Sequence, residues 1–176
     1  MTRGLLDPLT VTLAIDDESR QRFDAERERL WPDAPASAGH IQLFREIPGE
    51  IAPSVRLDLA DTAGPAFPVG IAAVLPLANG VAYGLLSAEL THRHRGLQES
   101  WWPHLTERDQ RPLRAFVAVQ NDVSPAEARS TLGLLRRGFR PFEIRATGFV
   151  LWQLVDESWT ELDRFDFPAP TELVPS

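Results

Sequence analysis

One coarse order, a short strand followed by a helix and then a hairpin, occurs at residues 40 to 86 and again at 114 to 167. No strict residue repeat accompanies it. A supersecondary order written twice suits a bilobal fold with pseudo-two-fold symmetry. The rest of the chain fits around these units. Leu9 to Ile15 (LTVTLAI) has the β-branched and apolar content of a buried strand. Asp16-Asp17-Glu18 suits a helix start, and Glu18 to Leu30 is an amphipathic helix carrying Phe23 and Leu30, closed by Pro32 and Pro35.

The two units divide in the same way. His40 to Arg45 reads as a strand ending at Pro48-Gly49, and a helix is expected from Glu50 to Ala60 despite Pro53. Phe67 to Leu75 and Val81 to Leu86 form a hairpin through Leu77-Ala78-Asn79-Gly80, where Asn-Gly is a turn signal. Ser87 can cap a helix running to Trp102, and Pro103 to Pro112 is a polar loop. Arg114 to Asn121 reads as the strand that opens the second unit. Ser124-Pro125-Ala126-Glu127 is a capping box with proline at the first helical position, and that helix stops at Gly138. Phe142 to Val155 and Trp159 to Phe167 make a closing hairpin through Asp156-Glu157-Ser158. Hairpins mixed with helices indicate α+β.

Composition removes several classes of chemistry. At 176 residues the chain fits one compact bilobal domain spanning 1–176. It has no cysteine, hence no disulfide, thiolate metal site or cysteine nucleophile. All 18 basic residues are arginine, which removes Schiff-base chemistry and a lysine phosphate loop; the bias reads as GC-rich coding. A net charge of -7 argues against an extended nucleic-acid surface, yet leaves room for a small phosphate pocket. The apolar stretch Ile71 to Leu77 is broken by Pro76 and is far short of the ~20 residues a membrane span needs. No secretory signal follows Arg3, so a cytoplasmic, monomeric protein without cofactor or metal is expected.

The strands His40-Ile41-Gln42-Leu43-Phe44-Arg45 and Arg114-Ala115-Phe116-Val117-Ala118-Val119-Gln120-Asn121 carry the chemistry. With Pro48-Gly49 after the first and Pro125-Ala-Glu-Ala128 after the second, they resemble the signature strands of the 2H phosphoesterase superfamily. The match is to its bacterial 2′-5′ RNA ligase-like branch. Ala146-Thr147-Gly148, Leu151-Trp152, Trp159 and Phe165 look like that branch too. The resemblance implies an α+β bilobal fold, with two antiparallel sheets around a central cleft and helices outside. It also implies His-x-Thr/Ser in each lobe, one histidine as general base and the other protonating the leaving oxygen. Here the two copies read His40-x-Gln42 and Phe116-x-Ala118.

Residues i and i+2 of a strand share a face. The register therefore implies that His40, Gln42, Phe116 and Ala118 point into one cleft. His40 is the candidate catalytic residue, or a strand-terminal histidine without chemistry. Gln42 can hold a ligand oxygen. Phe116 and Ala118 are either core residues or an apolar wall for a planar ligand. Arg45 and Arg114 can meet an anion bidentately, or are simply solvent-facing or ion-paired. Tyr83 either lines the cleft or is a half-buried strand tyrosine. His104-Leu105-Thr106 spells the motif, but it lies between Pro103 and a polar run, so His104 reads as a loop histidine, with an active role the alternative. His92 and His94, two apart on a helix, cannot share a metal and are expected to be exposed.

Three functions compete. The first is a degenerate, repurposed protein that binds a small-molecule or nucleotide-like ligand in the cleft, or an enzyme that uses the cleft for different chemistry around His40. The second is an active cyclic phosphodiesterase or 2′,5′-phosphoesterase using His40. The third is a non-catalytic interaction module.

Overall fold

A computed structural model describes residues 7–170. Its strands are β1 (Leu9–Ile15), β2 (Ile41–Ile47), β3 (Phe67–Leu77), β4 (Gly80–Leu86), β5 (Phe116–Gln120), β6 (Phe142–Val155) and β7 (Ser158–Asp166). All pairings are antiparallel, in the order β2-β1-β6-β3-β4-β5, with β7 also on β6. The helices are α1 (Asp17–Leu30), α2 (Ala52–Thr62), α3 (Ala88–Trp101) and α4 (Pro125–Gly138).

Strand β6 joins the two lobes. One edge carries β1, from Ala146 to Gln153. The other carries β3 over Phe142 to Ala146 and β7 over Gly148 to Val155. The two expected sheets, β2-β1-β6-β7 and β6-β3-β4-β5, are thus one hydrogen-bonded network that shares a long strand. The order β1-α1-β2-α2-β3 recurs as β4-α3-β5-α4-β6. The pseudo-two-fold relation puts β2 and β5 at opposite ends of the pairing path.

Local chemistry accounts for the boundaries. Ser87 accepts from Leu90 N at 3.1 Å, and Ser124 from Glu127 N at 3.1 Å, capping α3 and α4. In α2, Pro53 occupies the first turn, where no backbone donor is needed. The β6–β7 turn places Asp156 and Glu157 at φ 48° and 64°, the left-handed pair of a tight hairpin turn. The Asn79-Gly80 turn has no positive φ. Glycine is needed at 80 for another reason: a Cβ there would lie 1.9 Å from Gln120 O.

Asp16 ties α1 to the sheet. Its carboxylate accepts from Ser19 N at 3.0 Å and from Arg145 N of β6 at 2.9 Å. Burial pushes its pKa up, but these hydrogen bonds outweigh that and hold it below the ordinary 3.8. Asp16→Ala is expected to cost about 1–2 kcal/mol in urea denaturation. The wild-type advantage should be complete above the ordinary carboxylate value and fade as pH falls through the lowered one.

The core is continuous, with Phe23, Phe44, Leu59, Ile71, Leu97, Trp101 and Phe149 among its fully enclosed side chains. Among the described residues, no helix is long and apolar enough to cross a membrane.

Candidate functional site

The ends of β2 and β5 border a cleft of about 950 Å³. His40, Gln42, Arg45, Arg114, Phe116 and Ala118 all line it. The i, i+2 alternation within each strand therefore delivers its four residues to one place. Phe116 is 36% exposed and leaves the cleft open rather than packing across it. The ordered strand starts at Phe116, not Arg114.

Tyr83 is not among the lining residues. It pairs with Val117, whereas Ala82 and Gly84 pair with Ala118 and Phe116, so Tyr83 faces the other side of the sheet. There it is buried, donates its hydroxyl to Glu26 at 2.7 Å, and packs near Phe23, Phe139 and Phe142. Burial and that carboxylate push its pKa well above the ordinary 10.0.

His40 follows a 3-10 turn at Ala36–Gly39 and immediately precedes β2. Its ring stacks on Trp152 (centroids 4.5 Å apart) and meets Trp159 edge-on at 5.1 Å. Trp152 is held in turn by donating its indole N–H to Thr12 Oγ1 at 2.8 Å. Burial, then the nearby Arg27 cation, lower the His40 pKa below 6.5, so the ring is neutral at pH 7. Its Nδ1 is enclosed without a hydrogen-bond partner. Gln42 Oε1 accepts from Arg45 Nε.

Arg27 of α1 was not anticipated. It is buried, donates Nε–H to Ala118 O at 2.9 Å and Nη1–H to Asp24 at 2.8 Å, and joins α1 to β5. Its guanidinium lies against Gly39, where a Cβ would come within 2.8 Å. This is why a glycine precedes His40. Replacing Arg27 with Met should raise the His40 pKa towards 6.5, because the second of its two depressing causes is removed. Titration of the ring protons by NMR measures the shift.

His94, expected to be exposed, is 4% exposed and lines the cleft; His92 is exposed. The correction has a visible cause. Leu90, His94, Leu97 and Trp101 recur at helical spacing on the buried face of α3, a stripe that the His92–His94 pairing obscures. His94 Nε2–H donates to Leu43 O at 3.2 Å, and its ring stacks on Phe44 at 4.4 Å. Burial lowers its pKa, against the opposing pull of Leu43 O and Asp109.

Asp109, also unanticipated, is buried and accepts from Arg45 N at 2.8 Å. Burial raises its pKa, partly offset by a backbone hydrogen bond from Glu46 and by Arg108. Together His94 and Asp109 satisfy backbone groups on the edge of β2 not covered by β1. His104 is exposed on a 3-10 turn and does not line the cleft. Among the described residues, no group of three or more His, Cys, Asp or Glu could hold a metal ion.

No protein-family model and no curated protein matches the chain. Solved structures do. The TT0787 protein of Thermus thermophilus superposes with a TM-score of 0.66 at 15% identity, covering 92% of this chain and 98% of its own. E. coli LigT complexed with ATP gives 0.65 at 16%, with 93% and 99% covered. LigT complexed with 3′-AMP gives 0.63 at 16%, with 92% and 98% covered. A structure described as a phosphoesterase gives 0.63 at 16%.

This chain has the 2H phosphoesterase fold.

Within that fold, β2 and β5 are the strands that the sequence resemblance pointed to, and the cleft they border is the one described above. The near-complete coverage of both partners shows that the likeness extends over both lobes rather than over one sheet. At these identities the likeness concerns the fold, so the chemistry of the cleft rests on this chain's own side chains.

Proposed function

We propose that this protein is a repurposed 2H-fold binder of a small ligand, lacking two-histidine cyclic phosphodiesterase chemistry. The supporting observation is the composition of β5: its cleft-facing residues, opposite His40 and Gln42, are Phe116 and Ala118. Neither can exchange a proton or hold a phosphate oxygen. Phe116 instead presents an exposed ring to the cleft, while His40, Gln42 and the arginines supply polar handles. An apolar wall with a few convergent polar groups is the usual form of a small-molecule site. A nucleotide-like ligand agrees with the crystals of LigT, which shares the fold and was solved with 3′-AMP, ATP and NADP+.

A second reading, an active phosphoesterase using His40, draws on His94. That residue brings a second, buried imidazole to the wall of the cleft from α3. With Nε2–H engaged by Leu43 O, Nδ1 is the free nitrogen of the neutral tautomer. Hydrolysis of 2′,3′-cyclic nucleotides decides between the two. Turnover above background that disappears in both His40→Ala and His94→Gln would establish the second reading and reject the first.

A further inference from the structure

The segment joining α3 to β5 carries Arg108, Arg111 and Arg114, three residues apart. All three are exposed and line the cleft, and none enters an ion pair among the described residues. The backbone beneath them is pinned. The Asp109 carboxylate accepts from Arg45 N at 2.8 Å, and Gln98 Nε2 donates to Asp109 O and Arg111 O at 2.8 and 2.9 Å. Gln110 N donates to Thr106 O at 3.0 Å and Arg111 N to Arg108 O at 3.2 Å, while Leu105 is buried in the core.

A fixed backbone bearing three unpaired guanidinium groups concentrates positive charge at one rim of a protein whose net charge is -7. Asp109 and Asp122 also line the cleft, so the positive charge is local to this segment, where it can attract an anionic group of a ligand. Coding bias accounts for arginine in place of lysine; it does not account for three cations without ion-pair partners lining one cleft. Of the two carboxylates lining the cleft, Asp109 feels the Arg108 charge but is engaged by the Arg45 backbone N–H, and neither Asp109 nor Asp122 forms an ion pair with these arginines.

We propose that this segment is an anion site that receives the phosphate of the cleft ligand, a phosphate monoester attached to a planar ring. The guanidinium forks match phosphate oxygens. Phe116, two residues beyond Arg114, offers the exposed apolar face for the ring. The phosphate thus lies at the segment rather than at Phe116 and Ala118. This rests on reading the cleft as a ligand site.

Calorimetric titration with adenosine 5′-monophosphate, adenosine and inorganic phosphate tests it. The monophosphate is expected to bind the wild type at least about tenfold more tightly than adenosine. Added salt should shrink that margin. Arg108→Ala/Arg111→Ala should erase it while adenosine still binds and the variant still folds, because Gln98 and Asp109 still hold the backbone; the loss of Arg108 beside buried Asp109 should cost some thermal stability. His40→Ala, which removes a polar handle of the cleft, should weaken both ligands alike and so preserve the ratio between them. Equal binding of monophosphate and adenosine, or no binding of any of the three probes, would overturn the proposal. So would a margin that survives in the arginine double variant and vanishes in His40→Ala. Cyclic-nucleotide turnover separates the two levels. A lost margin without turnover defeats the anion site alone; turnover with the margin intact defeats the repurposed-binder reading alone.

Discussion

With 2′,3′-cyclic AMP, the wild-type protein is expected to show turnover at background. The triple variant Gln42→Thr, Phe116→His, Ala118→Thr should exceed it by about 10²-fold or more, the size of one general acid–base partner. The geometry supports the graft. Phe116 is exposed and Ala118 half-buried at the cleft, so neither replacement opens a core cavity. Gln42→Thr frees the Arg45 guanidinium that Gln42 now engages. His40 already sits neutral beside Trp152 and Trp159, the protonation state a general base needs, while burial and Arg27 oppose its taking the proton. Initial rates for the wild type, the triple variant and the triple variant with His40→Ala check it. A triple variant that folds yet stays at background would show that β5 and His40 are not in catalytic register.

The largest loss of stability is expected at Phe44. Its ring is fully buried, stacks on His94 at 4.4 Å and 9°, and meets Trp101 edge-on at 4.9 Å. Phe44→Ala should cost about 3–5 kcal/mol in urea denaturation, and Phe44→Leu markedly less, because it refills most of the cavity. The site should feel it as well. Burial is the main cause of the lowered His94 pKa, so opening the Phe44 cavity to water should move that pKa up towards 6.5. In the wild type a lowered histidine pKa means that stability falls as pH drops below 6.5, since the unfolded chain then binds more protons. Phe44→Ala should flatten this dependence. A pH slope identical to wild type would place the origin elsewhere.

How much of this was legible follows from the range of each interaction. Strands β1 and β6 agree residue for residue with the apolar runs that announce them, and the caps Ser87 and Ser124 work as read. These features are short-range: a cap reaches three residues, and strand alternation needs only neighbours. The same alternation put His40 with Gln42, and Phe116 with Ala118, at the cleft. His94 was legible in principle, because Leu90, Leu97 and Trp101 mark its face.

Tyr83 was not. Alternation says which residues share a face but not which face is covered, and pairing with Val117 settles that. Arg27 looks like one charge among many on a surface helix. Its burial depends on Ala118 O, 91 residues away, and on the bare Cα of Gly39. Asp109, Arg108 and Arg111 lie in an irregular segment with no period to read. Their positions come from the uncovered edge of β2 and from Gln98 on α3. Chain-local periodicity encodes elements and faces, while the partners of buried charges and the setting of a cleft depend on long-range contacts that close only when the lobes pack.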